Sequence, residues 1–358
     1  MHVSTKELKT LSKRVKLFTN PKSQLPILSY GVFRADGNML SVRTCDLDGG
    51  SDVTFHVNGE GSGDFSTVVK LDDFHKLISK LKTDKVSLEA LESHSIRIKS
   101  GTMEFTLNGK AQEDFPVAAT FDPDTIKGIS FCNYQDFVGE AKYAACATNP
   151  DKLKSFMSAV AFIYGIDSVN IAGTDGFRLH YSTFPGLHEG TFKAEDKDYT
   201  GLISALSIDK LTRLGITDNP DMTLTFNENL AKWEIMGIGY GTFYLVESGY
   251  PNFDGIIPDT GHIFKIPSRP VLDVLGPLGI IAKGYGGRDT IIVKANGSLN
   301  LNAYSEAIGN ADAQLPCQHL AVWTPPIVFN PDPEVAADRS GVIESISKGL
   351  ITAFNISY

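Results

Sequence analysis

The sequence predicts an α+β fold built from three copies of one unit, each with helices packed on one face of antiparallel strands. Three observations carry this expectation. The stretches "ADGNMLSVRTCD" (35–46) and "ANGSLNLNAYSE" (295–306) share a turn followed by alternating residues, and they begin 260 positions apart. Asp46 of "RTCDLD" and Asp175 of "AGTDGF" stand 129 apart, half that interval to within a residue. "TVVKLDDFHKLISKL" (67–81) is echoed by "GLISALSIDKLTRLG" (201–215) and again by the terminal "GLITAFNISY". Repetition at about 130 residues suggests three copies of ordinary domain size.

Each copy follows one order. Ser4 to Phe18 forms the opening helix of the first: at about 100° per residue, Leu8, Leu11, Val15 and Phe18 fall on one stripe and Lys6, Lys9, Lys13 and Lys16 nearly opposite. Strands joined by a glycine turn follow. The second helix buries Leu71, Phe74, Leu77, Ile78 and Leu81 and turns Lys76 and Lys80 outward. "SIRIKS" and "MEFTLNG" alternate as half-buried strands do, and the copy leaves through an aromatic-Pro exit, "EDFPV" (113–117), matched by "SGYPNF" (248–253) in the second. The second copy opens with a helix at about 133–147 that mixes Asp136 and Glu140 with Lys142. The expected domains are 1–126, 127–258 and 259–358. At this period three full copies need about 390 residues, so the third is expected to be incomplete.

Composition fits such a chain. At 358 residues it exceeds what one core serves, and 42% hydrophobic with 21% charged residues excludes a disordered or collagen-like class. Cys45, Cys132, Cys146 and Cys317 are scattered without a CxxC pair, which speaks against a zinc site or a disulfide framework and for a reducing compartment. The basic, amphipathic N-terminus lacks the apolar core of a signal peptide, and no run of about 18 apolar residues occurs. A soluble, cytoplasmic protein is expected.

Formal net charge is −9, yet the first helix keeps four lysines in register. Lysines on a wet helix face are ordinarily just solvated, but segregation of cations in an acidic protein is what a polyanion groove requires. No aromatic residues interleave with these lysines and no groove-reading helix is evident, so contacts to phosphates rather than bases are expected.

"GTDGFRLH" (173–180) gathers Asp175, Arg178 and His180 within six positions, as a hydrolase site might be imagined. Asp175 shares its repeat slot with Asp46, however, and an Asp repeated in a tight turn answers to turn geometry. "GIGYGT" (237–242) precedes no convincing helix, and no GxxxxGK[ST] occurs, so a phosphate loop is not indicated. "CQH" (317–319) offers two ligands where a closed zinc site needs about four. No catalytic residue, metal or cofactor is expected.

Taken together, "LPILSYGVFRADGNMLSVRTCDLD" (25–48), "SGTMEFTLNGKAQEDFP" (100–116), "AGTDGFRLHYSTFP" (172–185), "YPNFDGIIP" (250–258) and "FNISY" (354–358) resemble, in order and across the whole chain, the bacterial beta sliding clamp family. The resemblance implies a ring of two crescent subunits, helices lining a hole through which duplex DNA passes and antiparallel sheets outside. It implies no catalysis but a processivity factor, opened by an ATP-driven clamp loader, that tethers the replicative polymerase and other clients through short hydrophobic peptides. The implied client pocket uses Met157, Thr174, Gly176, Phe177, Arg178, Leu179, Pro251 and Ile256. The implied DNA contacts are Lys22 in the loop before Leu-Pro-Ile-Leu and Asn149 with Lys152 and Lys154, beside the helix lysines Lys9, Lys13, Lys16, Lys76 and Lys80. The implied dimer seam sets Phe105 and Leu107 against Ile280 and Ile281 of a second copy. Phe177 stands where the family has a polar residue or His, and Gly255 where many members have Arg. A clamp-like regulator that binds client peptides without encircling DNA is the alternative.

Overall fold

The computed structural model describes residues 1–21, 23–47, 49–151, 155–165, 168–176, 178–183, 199–253, 264–265, 268–282, 291–295, 298–305, 308–316, 318–319 and 327–329. The first copy runs β1 (His2–Ser4), α1 (Thr5–Leu17), β2 (Tyr30–Asp46), β3 (Ser51–Lys70), α2 (Leu71–Lys80), β4 (Lys85–Ala90), β5 (Ile96–Ser100), β6 (Met103–Leu107) and β7 (Gly109–Lys110). The second repeats the order with β8 (Gly128–Asn133), α3 (Tyr134–Cys146), β9 (Ala159–Tyr164), β10 (Val169–Thr174), β11 (Leu179–Thr183), β12 (Tyr199–Ser204), α4 (Ala205–Thr212), β13 (Asp221–Phe226), β14 (Leu230–Ile235) and β15 (Gly239–Tyr244). The third contributes β16 (Phe264–Lys265), α5 (Ser268–Ala282), β17 (Ile291–Ala295), β18 (Leu299–Ser305), β19 (Gly309–Leu315), β20 (Gln318–His319) and β21 (Ile327–Phe329). All pairings are antiparallel, and the fold is α+β with a three-fold repeat.

In each of the first two copies a strand runs straight into each helix: β1 into α1, β3 into α2, β8 into α3, β12 into α4. No side chain caps the start of α1; its first N–H is satisfied instead by Asp84 O at 2.9 Å. Glu7 in the first turn and Arg14 and Lys16 in the last complement the helix dipole. The predicted stripe is the buried one: Leu8, Leu11, Val15 and Phe18 are each no more than 1% exposed.

The "ADGN" stretch departs from expectation. Residues 35–37 stay paired with 63–65, and β2 continues through Asp46 with a register shift between Gly37 and Met39. Gly37, at φ 58°, absorbs the irregularity without breaking the strand. The second copy does turn at the matching place, where Gly165 N donates to Ser168 O and β9 folds back on β10.

The first two copies are fused. β15 pairs with β3 in register Gly239↔Phe55 to Phe243↔Ser51, which joins their sheets into one of eleven strands. The glycines of "GIGYGT" serve this junction: a Cβ on Gly241 would lie 2.8 Å from Asp52 O, and one on Gly239 would collide with Thr54 O. Behind it Phe18 meets Phe55, Trp233 and Phe243 at centroid separations of 5.8, 6.5 and 6.3 Å, so both copies share one core. The third copy packs its own cluster from Val271, Leu278, Leu301, Ala303 and Leu315.

Polar contacts lock the same junction. Lys210 of α4 reaches Asp46 Oδ2 at 3.1 Å and lies over the Phe18 ring at 5.9 Å, while Ser207 Oγ donates to Gly49 O. Arg14 Nε donates to Leu214 O at 3.2 Å. Asp46 is 4% exposed, so removing it leaves the half-buried Lys210 ammonium without its carboxylate. Asp46→Ala is expected to lower unfolding free energy by about 3 kcal/mol in urea titration, and Asp46→Asn, which keeps an acceptor, by less. An unchanged midpoint for Asp46→Ala would contradict this account of the junction.

Candidate functional site

Two regions place the predicted residues. The first is a continuous row of helices, built by side-chain contact in the order α2, α1, α4, α3. α1 packs along α2; Arg14 and the Lys210 contacts tie the end of α1 to α4; Tyr134 Oη of α3 donates to Leu211 O of α4 at 2.9 Å. Each helix turns its apolar stripe to the sheets and its polar side away from them.

On that polar side Lys13 and Lys80 are exposed, with no ion pair among the described residues. Lys16 and Lys76 converge on one carboxylate, Asp72, at 2.8 and 2.5 Å. Their two hydrogen bonds hold the Asp72 carboxyl down at about 2. Lys9 is not on the open face as the helical projection has it: half-buried, it donates to Leu81 O at 2.7 Å and fills an unpaired carbonyl at the end of α2. Asn149, in the turn after α3, accepts from Asp151 N through Oδ1, and its own N–H donates to Met157 O at 2.7 Å. Lys22, Lys152 and Lys154 lie outside the described residues. Helical spacing reveals no sign of Asp72 as the shared counter-charge, because its partner Lys16 stands 56 positions away.

The second region surrounds "GTDGFRLH". Asp175 closes its turn by accepting from Arg178 N at 2.8 Å through Oδ1, and Oδ2 lies 3.0 Å from both Nε and an Nη of Arg178. Asp46 does the same one period earlier, accepting from Gly49 N at 3.0 Å. Equal slots therefore have equal backbone roles. Thr174 Oγ1 donates to Arg178 O at 2.6 Å and accepts from Gly176 N. Gly176 sits at φ 88°, a conformation that favours glycine.

Around this turn the predicted residues gather. A Cβ on Gly176 would lie 3.5 Å from the Met157 methyl, which places Met157 over the turn. Leu179 packs with Ala159, Ala161, Ala172, Leu202 and Phe253, and Phe156 and Tyr250 flank that cluster. Pro251 is exposed beside it. Phe177 and Ile256 lie outside the described residues. Tyr250, read in the sequence as the aromatic of the aromatic-Pro exit and not as a pocket residue, packs edge-on against Phe156 and Phe253, and burial drives its phenol well above the ordinary range.

Asp175 and His180, the pair around which a hydrolase site might be imagined, each have other neighbours. In the described contacts Asp175 is engaged by Arg178, whereas His180 faces Glu140 Oε2 at 3.7 Å and Ser182 Oγ at 3.3 Å and meets the Tyr143 ring at a tilt. Burial pushes the Cys45 thiol up to about 11 and that of Cys132 to about 12, which suppresses the thiolate forms. Among the described residues no cluster of three or more potential metal ligands occurs, and no helix is long and apolar enough to cross a membrane.

Phe105 and Leu107 lie half-buried on β6, the last strand of the eleven-stranded sheet, and pack partly onto the main core. On α5, Ile281 packs onto the third copy's cluster while Ile280 is 66% exposed. β19 is likewise the last strand of its sheet among the described residues.

No protein-family model matches the chain. A beta sliding clamp of Synechocystis sp. is 26% identical over 238 residues, 63% of this chain and 59% of that protein, so the alignment spans under two thirds of that relative. A beta sliding clamp of Staphylococcus epidermidis is 19% identical over 318 residues, 87% of this chain and 82% of that one. Among solved structures, the sliding clamp (DNA polymerase III subunit beta) of Pseudomonas aeruginosa bound to griselimycin superimposes with a TM-score of 0.81 at 15% identity, covering 97% of this chain and 89% of that one. The Bacillus subtilis polymerase sliding clamp gives 0.77 at 16% identity over 94% and 88%. The chain thus has the fold of the bacterial beta sliding clamps and resembles that family in sequence.

Proposed function

We propose that this protein is a DNA sliding clamp: a non-catalytic, cytoplasmic processivity factor that encircles duplex DNA as a homodimer and tethers a DNA polymerase and other clients. The observation that carries this reading is the row of four helices whose polar side holds Lys13 and Lys80, exposed and without an ion pair among the described residues, in a protein of net charge −9. Mobile ammonium groups without base-reading partners suit a duplex that must move lengthwise. The domains in this reading are 1–126, 127–258 and 259–358, with an ATP-driven clamp loader as a further partner.

The repeat supports ring closure. β15 of the second copy zips onto β3 of the first. Among the described residues its counterpart in the first copy, β6, ends a sheet, and so does β19, the third copy's counterpart of the β3 segment that β15 meets. A second chain placing β19 against β6, once at each end, would use both edges and close at two subunits. In this reading Phe105, Leu107, Ile280 and Ile281 would form that seam.

The "GTDGFRLH" turn with Met157, Leu179 and Pro251 forms the client-peptide pocket in this reading. Leu179 and its neighbours supply apolar area, and Arg178, 31% exposed in its side chain, retains capacity to donate to a peptide carboxylate or carbonyl.

Three measurements test the proposal. Lys13→Glu with Lys80→Glu is expected to weaken retention on circular duplex DNA and to lower the salt slope by about 2, while Asp72→Asn, which releases Lys16 and Lys76, does the reverse; unchanged retention in both would refute the assignment of this face. Arg178→Ala with Leu179→Ala is expected to weaken a client peptide of roughly micromolar affinity by at least about tenfold in a protein that stays folded with a lowered unfolding midpoint, since Leu179 is buried, and an identical peptide titration would remove the pocket. Phe105→Arg is expected to convert a dimer in sedimentation to a monomer; a dimer of undiminished stability would place the seam elsewhere.

A further inference from the structure

On the face made by α1 and α2, one side chain keeps a proton-accepting nitrogen that none of the described contacts uses. The Ser12 hydroxyl donates to Lys9 O at 2.9 Å. Its single proton is thereby committed, so in the 3.0 Å contact between Ser12 Oγ and His75 Nδ1 the imidazole is the donor. Neutral His75 is therefore the Nδ1–H tautomer, and Nε2 carries the lone pair. Ser12 is 1% exposed whereas His75 is half-buried, so the ring is fixed on its inner edge and accessible on the other.

The surroundings set the charge of that ring. Lys16 and Lys13 act on it from α1 and Asp72 from its own helix. Lys76 follows it in sequence and is bound to Asp72, and Lys9 is turned to Leu81 O. The strand beneath α2 meets the helix through apolar rings, Phe33 against Phe74 at 4.6 Å. Burial first, then the two lysines, depress the imidazole below its ordinary value against the opposing pull of Asp72. In the free protein the ring is neutral at neutral pH.

We propose that His75 is a proton-linked phosphate contact: a duplex lying on this face draws a solvent proton onto Nε2, which then donates to a phosphate oxygen. This inference rests on the clamp reading above and adds to it a residue and a linkage. The phosphates bring negative charge to a ring otherwise held neutral by lysines, and protonation at Nε2 leaves the Nδ1–H bond to Ser12 in place, so no helix contact is lost. The proton comes from solvent, and the phosphate stays ionised.

The sign follows from which state has the higher pKa. DNA raises the imidazole, so the added affinity is full below the free-state value and disappears as pH rises through the DNA-bound value. Fluorescence anisotropy of a labelled duplex at low salt, with calorimetry in two buffers of different ionisation heat, reads this directly. The wild-type protein is expected to bind more tightly near pH 6 than near pH 8 by roughly two- to fivefold for a one-unit rise, the full factor of about ten being reached only below the free-state value, with net proton uptake. His75→Gln is expected to match it near pH 8 and to lose both the gain and the uptake. Equal pH dependence in the two proteins, or binding without uptake, overturns the inference and leaves the clamp reading standing. No binding of duplex by either protein at either pH overturns the clamp reading and this inference with it.

Discussion

The antiparallel join of β15 to β3 is the constraint from which the functional geometry descends. It fixes the second copy's sheet as an extension of the first and thereby sets α1 and α4 side by side. Glycines at 239 and 241 let the backbones approach, Phe18 fills the space behind with three aromatic neighbours, and Lys210 closes on Asp46 at the loop end. Apolar contact supplies most of the stabilisation. The buried ion pair adds orientation more than energy, since its desolvation offsets much of its Coulombic gain.

The same slot is used differently one period on. At the first junction Gly49 leaves Asp46 open to a cation from the next copy, and Lys210 takes it. In the second copy Arg178 occupies the position of Gly49, so Asp175 finds its cation within its own turn. A junction sealed by a neighbouring helix in one copy becomes, in the next, a self-satisfied turn beside an apolar cluster. That difference of one residue is a physical reason for proposing a peptide pocket at the second site and none at the first. Asn149 and Met157, joined through their backbones at 2.7 Å, place the loop after α3 within one hydrogen bond of the same cluster.

Much of this was legible from periodicity. A 3.6-residue stripe identifies α1 and α2 and their buried faces, because burial of Leu8, Leu11, Val15 and Phe18 is a local consequence of helix geometry. The shared turn role of Asp46 and Asp175 was legible because a side chain that accepts from the N–H three residues on depends on local sequence alone. Lys9 was misplaced for the opposite reason: its partner is a carbonyl 72 positions away, and a long flexible stem can leave the direction its Cβ implies. "ADGN" reads as a turn in isolation, yet its ladder with 63–65 wins, because β3 is long enough to carry both halves of β2. Asp72 and His75 acquire meaning only when α1 lies against α2.

Charge on the helical row is graded rather than uniformly basic. Lys6, Lys13 and Lys80 make no ion pair among the described residues, Lys16 and Lys76 share Asp72 and Lys9 is spent on a helix end, so in the proposed reading the face would attract a polyanion without an array of fixed cations to arrest it. The most direct measurement of this account is amine-reactive footprinting of the protein loaded on circular duplex DNA. Protection concentrated at Lys13 and Lys80, with Lys99 and Lys232 of β5 and β14 labelled as in the free protein, is the predicted result. Protection of the strand lysines in place of the helix lysines, or no protection at either, would contradict it.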